Sequence, residues 1–166
     1  MKYKVIYIMG VSGSGKTTIG QQLSERTGYP FYDADDFHTE NSKASMKVGK
    51  PLTDADRWPW LQNIQQFVIK KIKTGNIIMA CSALKEAYRG RLSQSIEENC
   101  TWVFLQGDYE TILKRVKERT DHYMPSTLLQ SQFDTLEVPV KTLMIDIKLA
   151  PETILDTILS KIKTGN

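Results

Sequence analysis

Residues Gly10-Val11-Ser12-Gly13-Ser14-Gly15-Lys16-Thr17 fit the pattern GxxxxGK[ST] and follow directly on the apolar run Val5-Ile6-Tyr7-Ile8-Met9. Glycines in such a loop let the backbone take turns that a side chain would block. Its N–H groups then converge on phosphate oxygens at a helix N-terminus, where the macrodipole favours anions. Gly10, Val11, Ser12, Gly13, Ser14 and Gly15 are therefore expected to cradle a nucleoside triphosphate, Lys16 to reach its β- and γ-phosphates as a catalytic cation, and Thr17 to offer its hydroxyl to Mg²⁺. A Gly/Ser-rich surface turn is the alternative. The apolar run before the loop, and Ile19 and Leu23 at helical spacing after it, supply the strand–loop–helix context that the phosphate-binding reading requires.

Phosphoryl transfer further needs an acceptor hydroxyl in line with the γ-phosphate, a metal bridging phosphate oxygens, and cations on the equatorial oxygens. Asp33-Ala34-Asp35-Asp36 closes a short apolar segment, and a strand-end DxD beside the loop could serve both metal and acceptor. Asp35 is expected on the hydroxyl. Which of Asp33 and Asp35 faces the metal stays open at this level, and the same tetrapeptide also reads as an acidic turn or helix cap. The apolar run Ile77-Ile78-Met79-Ala80-Cys81 ends in Ser82 rather than Asp, which disfavours a motor ATPase, and the absence of NKxD disfavours a GTPase. After Ser82 come Lys85 and Arg89, two cations at a helix start that suit an anionic small molecule, although such residues are more often solvated. Arg115 and Arg119 stand four apart, a spacing that puts both on one helix face and lets them neutralise charge on a nucleotide closed under a lid. His38 and His122 lie in the two segments described next.

Apolar runs alternate with amphipathic ones, which predicts an α/β fold with a parallel sheet covered on both faces. Strands are expected at Lys4–Met9, Phe31–Asp33, Ile77–Cys81, Thr101–Leu105 and Thr142–Ile145. Leu61, Ile64, Val68 and Ile72 mark a helix expected to stop at Gly75; Asp108 should cap another, and Pro151 should open the last. Trp58, Trp60 and Trp102 read as core or groove packing. Residues 34–58 and 120–141 do not fit plain β/α packing, and excursions of that length are usually functional, here an acceptor-binding insert and a lid.

The chain has 166 residues, 40% hydrophobic and 25% charged, which suits one folded domain spanning 1–166. Its net charge of +3 is too mild and too dispersed for a nucleic-acid partner to be expected. The first apolar run is too short for a membrane span or a signal peptide, and Cys81 and Cys100 read as free thiols, so the expected location is cytoplasmic.

Several motifs act together: the phosphate loop; Asp33-x-Asp35 with His38 and Met46; Gly49-x-Pro51-Leu52-x-Asp54-x-Asp56-Arg57-x-Pro59-Trp60-Leu61; Cys81-Ser82-Ala83-Leu84-Lys85-x-x-Tyr88-Arg89; and Gln132-Phe133-x-x-Leu136-Glu137-x-Pro139. Through them the chain resembles the small gluconate kinases (gluconokinases) of the P-loop kinase group over nearly its whole length. The resemblance implies a five-stranded parallel sheet like that of nucleotide and shikimate kinases. It also implies transfer of the γ-phosphate of ATP, with Mg²⁺, to the terminal hydroxyl of D-gluconate. Carried over, Arg115 would serve the nucleotide and Arg119 the transferred phosphoryl group; Asp33, Asp35, His38, Arg57, Lys85, Arg89 and His122 would face gluconate. A homodimer is also implied. Thr39 follows His38 where relatives often have Pro, which alters the turn into the acceptor insert. Spacing alone leaves open a kinase for another hydroxy acid or a nucleoside monophosphate, or a nucleotide-binding sensor that transfers nothing.

Overall fold

The computed structural model describes residues 3–119 and 124–164. Five parallel strands, β1 (Val5–Met9), β2 (Phe31–Asp33), β3 (Ile77–Ala80), β4 (Cys100–Gln106) and β5 (Leu143–Asp146), lie in the order β2-β3-β1-β4-β5. Each falls where the apolar runs put it, with ends differing by one residue or not at all. β1 is central, with Val5 paired to Ile77 on one side and to Cys100 on the other.

Alternation along β1 sends successive side chains to opposite faces, and both faces are covered. Val5, Tyr7 and Met9 pack with Leu61, Ile64 and Val68 of α3 (Asp54–Lys71) and with Tyr88 and Leu92 of α4 (Glu86–Ser93). Ile6 and Ile8 pack with Ile19 and Leu23 of α1 (Lys16–Thr27), with Ile112 of α5 (Tyr109–Glu118) and with Ile154, Leu155 and Ile158 of α7 (Pro151–Thr164). Burying each large aliphatic side chain contributes about 1.5–3 kcal/mol, so these two layers fix the sheet that carries the loop ends.

Helix boundaries follow local chemistry. Thr53 caps α3 and forms a reciprocal capping box with Asp56. Asp108 caps α5 by accepting from the Thr111 N–H at 2.8 Å. Pro151 opens α7. α3 ends at Lys71 with Ile72 as its cap, short of Gly75, so the glycine stop expected there is replaced by an earlier turn. Trp60 is buried and donates its indole N–H to the Ala34 carbonyl at 2.7 Å, and Trp102 stacks on Tyr7 at 4.2 Å. Trp58 is 41% exposed and packs edge-on against Tyr88 at 5.7 Å, at the groove rather than in the core.

From β1 the chain passes to β2 at one edge, returns to β3, and then crosses β1 to reach β4. Strand order therefore diverges around β1, and the crevice at the C-terminal strand ends there is where open α/β sheets bind ligands. The two excursions flank this crevice. Residues 34–58 form a 3₁₀ turn (Ala34–Phe37), α2 (Glu40–Lys47) and the start of α3, and the second excursion includes α6 (Ser126–Thr135). Thr39 caps α2 by accepting from the Ser42 N–H at 3.1 Å.

Candidate active site

The phosphate loop leaves β1 and enters α1 through Gly15, which caps the helix in the left-handed region (φ 97°) with no side-chain cap bond. A Cβ at Gly15 would find nothing within 4 Å, so the space over the α1 N-terminus is open to an anion. Gly13 is required for a second reason: a Cβ there would lie 2.7 Å from Val116 Cγ2, because the loop rests on α5. Lys16 folds back to donate to the Val11 carbonyl at 3.0 Å. Enclosure by protein pulls its ammonium pKa down, and Asp35 and Asp33 oppose that shift.

Asp33 ties the phosphate-loop helix to the turn that follows β2. Its Oδ2 accepts from the Thr17 hydroxyl at 3.0 Å, and its Oδ1 accepts from the Asp35 N–H at 3.0 Å, capping the 3₁₀ turn. Thr17 and Asp33 thus present adjoining hard oxygen donors, a set that fits hydrated Mg²⁺. Asp35, at the end of that turn's first residues, points a largely exposed carboxylate toward His38, 3.7 Å from its Nε2.

Two cavities meet here. The larger, about 610 Å³, is lined by Gly13, Gly15, Lys16, Thr17, Asp33 and Arg119 among others. The smaller, about 120 Å³, runs inward past Arg57, Ser82, Tyr88 and Gln132. Ser12, Lys16, Asp35 and His38 line both, so Lys16 and Asp35 stand at the junction. His38 is buried, stacked on Trp60 at 4.2 Å, and its Nδ1 has no hydrogen-bond partner among the described residues. Burial first, and then the positive charges of Arg57 and Lys43, lower its pKa to about 4, so it is neutral near pH 7.

The cations expected on the acceptor side separate into three situations. Arg57 lines the inner chamber and donates to the Tyr88 hydroxyl at 3.2 Å, while Tyr88 in turn donates to Asp54. Lys85 binds both Asp54 oxygens at 3.2 Å and lines a separate outer groove with Glu137. These partners hold the Asp54 carboxyl below its usual range, the Tyr88 hydrogen bond most strongly.

Arg89 departs most from expectation. It is buried, and its guanidinium donates to the carbonyls of Ala83, Leu84 and Glu137 and to the Glu86 carboxylate. Those bonds occupy all the donor groups of its fork. Arg89 therefore lines neither cavity and instead braces the β3–α4 loop, where Ala83 holds a left-handed backbone (φ 46°) unusual for a non-glycine residue. Glu137 completes the brace by accepting from the Glu86 N–H at 2.8 Å.

Arg115 and Arg119 do not share a helix face. α5 ends at Glu118, Arg119 caps it with extended backbone and lines the larger cavity, and Arg115 donates to the Ile147 carbonyl beyond β5 at 2.7 Å. His122 lies outside the described residues. Lys43 and Lys47 of α2, given no part by the sequence reading, also line the larger cavity. Their spacing of four on a short helix was the available signal.

A family model described as shikimate kinase matches residues 12–162. The gluconokinase of Arabidopsis thaliana is 42% identical to this chain, over 96% of it and 92% of the relative. The chain belongs to the gluconokinase family. Solved structures agree with the fold of this gluconokinase-family protein. A gluconokinase from Sinorhizobium meliloti 1021 matches with a TM-score of 0.86 at 38% identity, over 97% of this chain and 92% of that one. An unliganded sugar kinase from Janibacter sp. HTCC2649 matches at 0.90 and 37% identity, over 97% and 95%.

Proposed function

We propose that this enzyme transfers the γ-phosphoryl group of ATP to the terminal hydroxyl of D-gluconate, giving 6-phospho-D-gluconate and ADP. The observation that carries this reading is the junction of the two cavities, where Lys16 and Asp35 line both the phosphate-loop space and a small polar chamber. An acceptor seated in that chamber presents a hydroxyl between them.

In this reading the phosphate loop and the α1 N-terminus hold the triphosphate. Lys16 leaves the Val11 carbonyl for the β- and γ-oxygens, and Arg119 approaches the transferred group from the cavity wall. Mg²⁺ held near Thr17 and Asp33 supplies charge neutralisation and a template for the phosphate oxygens. Asp35 orients the acceptor hydroxyl and takes its proton as the new O–P bond forms and the bond to the ADP oxygen breaks. A loose transition state asks little of the base, so positioning accounts for most of its effect. Arg57 lies on the inner wall and suits the carboxylate end of gluconate, with neutral His38 as a hydrogen-bonding neighbour. The larger role of Arg89 is to hold the loop bearing Ser82 and Leu84. A cytoplasmic location, with ATP at hand and Cys81 and Cys100 kept as free thiols, and a homodimeric assembly complete the proposal.

A coupled ADP-release assay across gluconate, shikimate and nucleoside monophosphates tests it. Gluconate-dependent ADP is expected. Turnover with another acceptor alone would reassign the substrate, and tight ATP binding with no acceptor-stimulated turnover would make the protein a sensor.

A further inference from the structure

Gln132 joins the two halves of the site through a single side chain. It lies on α6 and lines the inner chamber, and its Oε1 accepts from the backbone N–H of Ser12 in the phosphate loop at 2.7 Å. That bond fixes which end of the carboxamide is oxygen, because only the oxygen can accept from an N–H. The amide Nε2 is then the other end of the same rigid plane, and among the described residues it donates to no protein acceptor. Among the described residues, no other side chain of α6 bonds the phosphate loop.

We infer that Gln132 is an acceptor-binding residue that also sets the phosphate loop, donating from Nε2 to an oxygen of the polyol acceptor while its Oε1 holds Ser12. The planar carboxamide makes the two contacts interdependent. An acceptor oxygen seated on Nε2 stands at a fixed offset from Ser12, and hence from the γ-phosphate that the loop cradles. Because the same plane also anchors α6 to the loop, acceptor occupancy and the position of the phosphate loop are coupled. In a phosphotransferase this coupling favours transfer to the acceptor over transfer to water. The inference rests on the proposal that the inner chamber takes the acceptor.

Two substitutions separate the two contacts. Gln132→Glu keeps an oxygen for the Ser12 N–H and removes the Nε2 donor; Gln132→Met removes both and keeps the side-chain length. For Gln132→Glu, the gluconate KM is expected to rise at least about tenfold, with ATP affinity held within about threefold and thermal stability close to the parent. For Gln132→Met, ATP affinity should fall as well, and acceptor-independent ATP hydrolysis should take a larger share of turnover. Restoration of ATP affinity in Glu relative to Met is the signature of the Ser12 contact. The inference is overturned if both variants keep the parent gluconate KM and coupling. It is equally overturned if each merely lowers melting temperature while KM for both substrates stays put. The unsubstituted protein run alongside distinguishes these results from failure of the functional proposal, since that failure would show as no gluconate-dependent ADP in the parent itself.

Discussion

The donor side of the site is one stretch of consecutive residues, Gly10–Thr17, acting largely through backbone N–H groups and a helix end. The proposed acceptor side is a chamber lined by Asp35, His38, Arg57, Ser82 and Gln132, carried on a 3₁₀ turn, two helices and a loop. Backbone chemistry in a contiguous loop depends on local conformation, which spacing encodes. Side-chain chemistry gathered from distant segments depends on which partner each charged group meets. Cationic side chains therefore take different parts around the chamber: Arg57 lines it, Lys85 pairs with Asp54 outside it, and Arg89 is occupied by carbonyls and the Glu86 carboxylate.

The largest effects should fall where the two sides meet. Lys16→Ala and Asp35→Asn are each expected to lower kcat by about 10²–10⁴-fold with the fold intact. Steady-state kinetics beside circular dichroism measures this, and near-parental turnover in Asp35→Asn would remove it from the mechanism.

Arg89 offers the sharpest contrast with Arg57. Arg89→Met leaves buried carbonyls without donors and should cost about 2–4 kcal/mol of stability by urea unfolding. Lysine should not rescue it, because one ammonium cannot replace a planar fork. Arg57→Leu, by comparison, should raise gluconate KM about tenfold or more while ATP KM and melting temperature change little. If Arg89→Met instead changed gluconate KM alone, its structural assignment would fail.

The smallest effect concerns His38. Its imidazole titrates near 6.5 in the unfolded chain and near 4 in the fold, where Trp60, Arg57, Lys43, Asp33 and Asp35 surround it. Between those values the unfolded chain binds the extra proton, so stability falls as pH is lowered from about 6.5 toward 4. His38→Gln should be less stable at pH 7 through loss of the Trp60 stack, yet its stability should fall less steeply over that interval. Parallel pH dependences in the two proteins would contradict the assignment.

Strand positions were legible because β1 and β3 are buried on both faces and read as unbroken apolar runs. The cap at Asp108 and the helix start at Pro151 were legible because they are local. Arg115 and Arg119 misled because their spacing assumes one continuous helix, and α5 stops before Arg119. Asp33 could not be resolved from Asp35 since the intervening turn, and the approach of Thr17 to its carboxylate, are properties of the folded crevice.

By itself the sequence determined the phosphate loop, the alternating β/α order and the family, since each is written in contiguous residues or in motifs of fixed spacing. Only the tertiary structure decided that Arg89 is a brace, that Asp33 stands with Thr17, that His38 is buried and neutral, and that Gln132 ties α6 to the phosphate loop. A charged or polar side chain acts through the partner it finds, and here those partners lie far away in the chain and are brought near only by packing of both layers on the sheet.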